Sequence, residues 1–226
     1  MRLFQTWKGK LFTGSLFFHK WVLKKYGLDM FFAYYNKTKL NDYEPRSATL
    51  ELASREIYRY HIEGAVAEAG VYQGAFAKEI NRYFPDRKLY LFDTFKGFDK
   101  RDTDVDQKED FSSANADFSK TSVEAVLSIM EHPENCIIKK GWFPDTTEAV
   151  EDKFCFVSLD MDLYAPIKAG LEFFYPRLVH GGVIMVHDFG NEDYKGVRKA
   201  VEEFCEKNNT WYVRISDAIG SVVIVR

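Results

Sequence analysis

The sequence predicts an α/β domain built on a mostly parallel, seven-stranded sheet with helices on both faces. Short apolar segments alternate with segments of helical periodicity, as in strand–helix units. These apolar segments are nearly continuous, which is typical of parallel strands buried on both faces. The final two apolar segments are joined by a short polar turn, so we expect the sheet to end in an antiparallel hairpin.

Each predicted element follows from its local pattern. The strands are predicted at Ala65–Ala69, Lys88–Phe92, Cys136–Lys139, Phe154–Leu159, Gly182–Val186, Trp211–Ile215 and Val222–Val225. The helices are predicted at Ala48–His61, Ala75–Tyr83, Ser122–Met130, Ile167–Tyr175 and Val197–Lys207. The last two strands, separated by Ser-Asp-Ala-Ile-Gly-Ser, form the hairpin.

Length, charge and cysteine content favour a single α/β domain and argue against several other classes of protein. The 226 residues fit one α/β domain, residues 46–226, preceded by an extension, residues 1–45. A formal net charge of −3 argues against a dedicated nucleic-acid binder. The three cysteines are widely spaced and form no Cys-x-x-Cys pattern, which indicates buried thiols in a reducing cytoplasm rather than disulfides or a zinc site. No apolar run approaches the ~20 residues that span a bilayer.

The extension is basic and aromatic, with no acid before Asp29. His19 and Lys20 interrupt its apolar stretch, unlike the continuous core of a signal peptide. One interpretation is a helical segment that covers the active site or packs on a second subunit in a homo-oligomer. The other is a basic amphipathic helix on an anionic membrane surface or a partner.

The most informative stretch runs from Val66 to Ile80, with the sequence VAEAGVYQGAFAKEI. It predicts a strand ending near Glu68, a tight turn built on Gly70 and Gly74, and a helix. About twenty residues later the strand LYLFD ends on Asp93. Glycines let backbone N–H groups approach a ligand and a strand-end acid holds ribose hydroxyls, so this pattern indicates a nucleoside ligand.

Other strand ends also carry polar groups. Ligands of open α/β sheets bind beyond the carboxyl ends of the strands, so these positions are the candidate site. They are Glu68, Asp93, Gly141-Trp142-Phe143, Asp160 with Asp162, and His187-Asp188. The acidic run Asp99–Asp110 is interpreted as a solvated surface loop, with a lid over the substrate as the alternative.

Five motifs together carry a family resemblance. The segment Leu159–Phe189 resembles the signature region of the macrocin O-methyltransferase (TylF-type) family, which has a Rossmann-like class I methyltransferase fold and uses S-adenosylmethionine. The motifs EAGVYQGAFAKEI, LFDTFKGF, FSKTSVEAVL and IKKGWFPDT follow the order and spacing of that family. The resemblance covers about Glu63 to Phe204.

The resemblance implies roles for the cofactor-site residues. The turn would bend around the methionine part of the cofactor, Asp93 would accept hydrogen bonds from both ribose hydroxyls, and other residues would border the adenosine. The implied residues are Glu68, Gly70, Val71, Tyr72, Gly74, Asp93, Thr94, Phe95, Ser119, Gly141 and Trp142. For Trp142 the alternative is a core aromatic under the sheet.

The resemblance also implies a divalent cation, held by the first acid of Leu-Asp-x-Asp and by an acid pair after the next strand. Here these positions are Asp160 and His187-Asp188. Three carboxylates would suit Mg²⁺, whereas an imidazole in place of one favours a softer ion such as Mn²⁺, or no metal. In a metal-free site His187 would hydrogen-bond within the loop or accept a proton.

The predicted reaction is methyl transfer to a hydroxyl of a sugar, glycan or glycosylated metabolite. A sugar hydroxyl is a weak acid, so it needs a base or a cation beside it, and Asp160, Asp162 and His187 are the candidate bases. For Asp162 the alternative is a cap on the helix near Pro166. The alternative functions are methylation of catechol-like phenols and a nucleoside-binding module without turnover.

Overall fold

The computed structural model describes residues 45–226. Helices are α1 (Pro45–Arg59), α2 (Ala75–Tyr83), α3 (Lys100–Lys108), α4 (Val123–Ser128), α5 (Tyr164–Phe174) and α6 (Lys195–Asn208). Strands are β1 (Ala65–Ala69), β2 (Leu89–Asp93), β3 (Cys136–Lys140), β4 (Phe154–Leu159), β5 (Leu178–Val186), β6 (Val213–Arg214) and β7 (Val222–Val225). Short 3₁₀ turns lie at Pro133–Asn135, Asp145–Thr147, Tyr175–Arg177 and Glu192–Tyr194.

The seven strands form a single sheet in the order β3-β2-β1-β4-β5-β7-β6. The first five pair in parallel, and β7 pairs antiparallel with both β5 and β6. The strand order reverses beside β1 and β4, where ligands of doubly wound sheets bind. The predicted parallel sheet with a closing hairpin is confirmed.

Side chains alternate between the two faces of the sheet, which have separate cores. One core packs β-strand residues such as Ala67, Phe92 and Val157 against α5 and α6. The other packs residues such as Val66, Leu91 and Phe156 against α1 and α2. Glu68 and Ser158 are neighbours across β1 and β4. They follow Val66 and Phe156 by two residues, so they lie on the α1 and α2 face.

The predicted elements differ from the observed ones mainly at their ends. α1 starts at Pro45, where the missing N–H of proline costs nothing in the first turn. β5 begins at Leu178 rather than Gly182, and the sixth strand is only Val213–Arg214. The predicted extension, apart from Pro45, lies outside the described residues. Between Pro45 and Arg226 no helix is long and apolar enough to cross a membrane.

The acidic run Asp99–Asp110 is a helix, so the expectation of a solvated loop is wrong. Asp99 caps α3 by accepting a hydrogen bond from the Arg101 amide. Asp102 and Asp106 face inward and are buried. The spacing of four residues places these two acids on one side of the helix, which a reading of charge density alone overlooks.

Candidate active site

The turn after β1 is held by Asp93 at the end of β2. One carboxylate oxygen, Oδ2, accepts hydrogen bonds from the backbone amides of Val71 at 2.8 Å and Tyr72 at 2.9 Å. The other oxygen accepts from the Phe95 amide at 2.6 Å. Asp93 therefore organises the backbone of the predicted nucleoside turn, in addition to the ribose role that the resemblance implies, which stays a prediction.

Gly70 places this turn directly against the end of β4. Its φ is +87°, and a Cβ atom there would lie 1.9 Å from the carbonyl oxygen of Asp160. Backbone atoms cannot yield by that amount, so a glycine is required. The Asp160 amide donates to the carbonyl oxygen of Ala69, which completes the contact between the two strand ends.

Two further predicted cofactor residues are Ser119 and Gly74. Thr121, two residues after Ser119, donates its hydroxyl to the Tyr72 carbonyl. Ser119 itself is exposed and bonds to Asp117. Gly74 precedes α2 with a φ of +80°.

Two neighbours in sequence, Thr94 and Phe95, have different surroundings. The Thr94 hydroxyl donates to the Gly97 carbonyl, which closes the turn after β2. The Phe95 side chain is buried in the core on the α1 and α2 face. The resemblance places both residues beside the adenosine, and that role stays a prediction.

Trp142 follows Gly141 in the loop after β3, beside the end of β2. The Gly141 amide donates to the Asp93 carbonyl at 2.9 Å. The indole N–H donates to Asp102 of α3 at 2.9 Å, and the Arg101 guanidinium carbon lies 3.8 Å from the ring centroid. The indole is partly exposed, while its neighbour Phe143 enters the core. The alternative of a core aromatic therefore describes Phe143 and not Trp142.

Asp160, His187 and Asp188 meet at the ends of β4 and β5. The His187 Nδ1 atom lies 3.0 Å from Asp160 Oδ1 and 2.7 Å from Asp188 Oδ2. The structure thus brings together the three predicted metal ligands, whose ligand atoms all lie within 4.8 Å of one another.

Arg46 of α1 is a site residue that the sequence reading missed. Its guanidinium donates to Asp160 Oδ2 at 2.8 Å and to Ser158 at 3.0 Å. It also lies 3.8 Å from Glu68 and covers the ring of Phe76. Arg46 is buried, so its charge is compensated by these acids in a medium of low polarity. No local motif marks it, because α1 meets the strand ends only in the fold.

These contacts shift the pKa values of three central groups, Asp160, His187 and Glu68. Burial raises the pKa of Asp160, but Arg46 and His187 outweigh it and hold the pKa well below its usual range. Burial lowers the pKa of His187, yet the hydrogen bonds to Asp160 and Asp188 raise it to about 10. Burial raises the pKa of Glu68 well above the ordinary value, against the opposing charge of Arg46. In the absence of a cation, therefore, His187 is an imidazolium at neutral pH.

Asp162 lies beside this cluster and does not cap α5. The residue preceding the helix is Leu163, which makes no side-chain cap, and Asp106 of α3 accepts the hydrogen bond from the Tyr164 amide instead. Burial, with the charges of Asp160 and Asp188, raises the pKa of Asp162 well above its ordinary value. The helix-cap alternative for Asp162 is wrong.

The donor set fits a divalent cation. Two carboxylates and one imidazole are ligands that ions such as Mn²⁺ accept, and the three donor atoms lie within 4.8 Å of one another. The remaining oxygens are oriented by Arg46 on Asp160 and by Asn191 on Asp188, the latter at 2.7 Å. Such second contacts are typical of metal ligands.

One family model and two known proteins match the sequence of this chain. The family model of macrocin-O-methyltransferase (TylF) matches residues 43–217. Mycinamicin III 3''-O-methyltransferase of Micromonospora griseorubida is 28% identical over 177 residues, which cover 71% of this chain and 66% of that protein. The 8-demethyl-8-(2,3-dimethoxy-alpha-L-rhamnosyl)-tetracenomycin-C 4'-O-methyltransferase of Streptomyces olivaceus is 26% identical over 155 residues, covering 60% and 59%. The chain thus spans less than two thirds of either relative.

Solved structures share the fold. The O-methyltransferase NovP superposes with a TM-score of 0.67 at 23% identity, over 80% of this chain and 79% of that one. Calicheamicin methyltransferase CalS11 gives 0.61 at 19% identity, over 79% of each chain. TomG of Streptomyces achromogenes, solved in complex with SAM, gives 0.55 at 13% identity, again over 79% of each. These likenesses support the Rossmann-like methyltransferase fold.

Proposed function

Because the chain belongs to the macrocin O-methyltransferase (TylF) family, we propose that it transfers a methyl group from S-adenosylmethionine to a hydroxyl of a sugar, glycan or glycosylated metabolite. The observation that carries this proposal is the contact between Gly70 and Asp160. It joins the nucleoside turn to the cluster of titratable groups, so that a methyl donor in the turn and a hydroxyl at the cluster would be neighbours. The name of the Streptomyces olivaceus relative gives a rhamnosyl compound as its acceptor, which supports the substrate class.

The turn would hold the cofactor. Its exposed backbone and the strand-end carboxylate of Asp93 suit the methionine and ribose parts of the nucleoside. Glu68 lies below the turn, where its carboxylate faces Arg46. The hydrogen bond to Asp102 fixes the indole of Trp142, which would border the adenine. Holding donor and acceptor in line supplies much of the rate, since a sulfonium methyl is already activated.

Asp160, His187 and Asp188 would hold a divalent cation, and the imidazole favours Mn²⁺ or another softer ion over Mg²⁺. When bound, such a cation lowers the pKa of a hydroxyl beside it. Support comes from the spacing of the three donors and from the contacts of Arg46 and Asn191 that orient them.

Asp162 is the best-placed base of the three candidates. Asp160 is engaged by Arg46 and His187, and His187 carries a proton in the cation-free protein. Burial and the charges of Asp160 and Asp188 raise the pKa of Asp162, and a cation held by those two acids would lower it again, leaving a carboxylate that can accept the proton of the hydroxyl.

The test has two stages. Isothermal titration with S-adenosylhomocysteine measures cofactor binding, and mass spectrometry then detects methyl transfer to a panel of glycosides, nucleotide sugars and catechols. We expect binding, and transfer to a sugar hydroxyl in the presence of Mn²⁺. Transfer only to catechols would replace the substrate class, and binding without turnover on any acceptor would favour a nucleoside-binding module.

A cytoplasmic location is part of the proposal. Cys136, Cys155 and Cys205 are all free thiols, and the last two are buried. Burial raises the pKa of the Cys155 thiol to about 11, which makes it unreactive. Such thiols suit a reducing compartment.

A further inference from the structure

Two arginines converge on Phe189, the residue that follows the His187-Asp188 pair. The guanidinium carbon of Arg198, on α6, lies 5.4 Å from the centroid of the Phe189 ring, and that of Arg214, on β6, lies 5.5 Å from it. The Arg198 Nε atom also donates to the Phe189 carbonyl at 3.3 Å. Both cations therefore contact the segment that carries the cluster.

Arg214 rests on the backbone of the same segment. Its Nη2 atom would lie 3.3 Å from a Cβ on Gly190 and 3.0 Å from a Cβ on Gly220. The turn that contains Gly220 is fixed by Asp217, whose Oδ1 accepts the amides of Gly220 and Ser221. Glycine at both positions leaves room for the guanidinium.

The sheet register places Arg214 at the functional edge. Arg214 pairs with Val222, and Val222 pairs with Val186, the last residue of β5. His187 follows Val186 directly. Arg214 therefore lies at the carboxyl edge of the parallel strands, two strands away from the cluster, or about 10 Å at the usual strand spacing.

The charges of these two arginines are poorly compensated within the described part of the chain. The ion pair of Arg198 is with Glu192, at 3.9 Å, and the Glu192 side chain is 80% exposed. Arg214 has no acidic partner within 4.0 Å among residues 45–226, and it is exposed. Each guanidinium has five N–H donors in a planar fork, which matches the oxygens of a phosphate.

We propose that Arg198 and Arg214 form an anion subsite for the acceptor, and that the acceptor is a sugar bearing a phosphate or diphosphate. This inference rests on the proposed function, since it assigns a charge to the molecule that is methylated. The phosphoryl group would lie against the two guanidinium groups while a ring hydroxyl reaches the cluster. A sugar 1-phosphate and a nucleoside-diphosphate sugar share this chemistry.

The experiment measures binding of three probes to the full chain saturated with S-adenosylhomocysteine, in EDTA and at constant ionic strength. The probes are glucose 1-phosphate, UDP-glucose and the neutral methyl glucoside. We expect saturable binding of the phosphorylated probes and at least tenfold weaker binding of the neutral one. Tighter binding of UDP-glucose than of glucose 1-phosphate would identify a nucleotide sugar, and equal binding a sugar phosphate.

Variants separate a subsite from general charge attraction. Arg198→Gln and Arg214→Gln should each weaken phosphate binding about tenfold without changing affinity for S-adenosylhomocysteine. The matched control is Arg59→Gln, which changes an exposed arginine in the last turn of α1 and should have no effect. An equal loss of affinity for the phosphorylated probes in all three variants would overturn the inference. So would equal binding of the phosphorylated and neutral probes by the parent protein. Failure to bind S-adenosylhomocysteine would instead refute the proposed function.

Discussion

The Arg46 guanidinium and the Asp160 carboxylate form a buried ion pair of 2.8 Å that joins α1 to the end of β4. The two residues are 114 positions apart in the chain. Arg46 also donates to Ser158 and lies 3.8 Å from Glu68, so one side chain approaches polar groups of both central strands. Fixing Asp160 therefore depends on a helix that carries no recognisable motif.

Arg46→Gln should destabilise the protein by about 3–5 kcal/mol, the usual cost of removing one partner of a buried ion pair. Arg46→Lys keeps the charge but loses the planar fork that reaches both Asp160 and Ser158. The free energy of unfolding of Arg46→Lys should therefore lie between those of Arg46→Gln and the parent protein. Urea unfolding measures both variants, with Arg55→Gln on the exposed face of α1 as the control. Equal stability of Arg46→Gln and the parent protein would show that the ion pair contributes little.

Asp93→Ala should abolish binding of S-adenosylhomocysteine and also lower the melting temperature by several degrees. From the sequence alone we expect only the loss of binding. In the structure Asp93 accepts hydrogen bonds from three backbone amides, among them those of Val71 and Tyr72. These amides would lose a charged acceptor in the variant, which lowers stability. Asp93→Asn keeps an acceptor oxygen and should recover most of the stability. Calorimetry and differential scanning fluorimetry report the two effects separately, and unchanged affinity in Asp93→Ala would remove this residue from the site.

Asp160→Asn should reduce turnover by at least about two orders of magnitude, the scale of a lost base or metal ligand, and leave cofactor affinity largely intact. The Arg46 guanidinium would keep one oxygen partner, so the fold should persist. Steady-state kinetics with an accepted acceptor, beside calorimetry with S-adenosylhomocysteine, gives the comparison. Turnover equal to that of the parent protein would exclude both roles for Asp160.

Metal affinity should rise with pH by about tenfold per unit between pH ~6 and ~8, because a cation must displace the proton of His187. If the pKa of the histidine were unperturbed, the metal affinity would no longer depend on pH above about pH 6.5. Here the hydrogen bonds to Asp160 and Asp188 raise the pKa of His187 to about 10 against the effect of burial, so the dependence continues to higher pH.

His187→Asp supplies the control for this titration. It restores a set of three carboxylates, so it should bind Mg²⁺ more tightly and show little pH dependence above pH ~6. His187→Ala should weaken binding of every ion. Mn²⁺ titration followed by calorimetry measures all three proteins. Full activity in EDTA without a bound ion would eliminate the metal site.

The buried acids of α3 should make stability fall as the pH rises. Burial raises the pKa of Asp102 to about 6 and that of Asp106 to about 6, so the folded state binds protons more tightly than the unfolded state between pH ~4 and ~6. This contribution is favourable below that window and is lost as the pH rises through 6. The stability of Asp102→Asn relative to the parent protein should therefore rise from near zero at pH ~4 to about 1–3 kcal/mol at pH ~7.

Urea midpoints at closely spaced pH values measure this difference. Asp104→Asn is the matched control, because Asp104 lies on the exposed side of the same helix. A pH profile of Asp102→Asn that stays parallel to that of the parent protein would contradict the prediction.

The central strands were predictable because they are nearly continuous apolar runs, and β1 and β4 match the expected bounds. The strand-end residues Asp93, Asp160 and His187 were predictable because parallel strands share one carboxyl edge. Arg46 and Asp106 were not. Their roles depend on which helices pack beside that edge, and such long-range contacts leave no periodic pattern in the sequence.

The close approach of Gly70 to Asp160 has a consequence for the coupling between the two halves of the site. Any ligand that shifts the turn must displace the backbone at the end of β4, and any ligand that shifts Asp160 must displace the turn. Occupancy of one half of the site therefore biases the other, and thermodynamic linkage requires the bias to be equal in both directions. A methyl donor in the turn and an acceptor at Asp160 would thus change each other's affinity by the same factor, whichever binds first, through a contact made entirely of main-chain atoms.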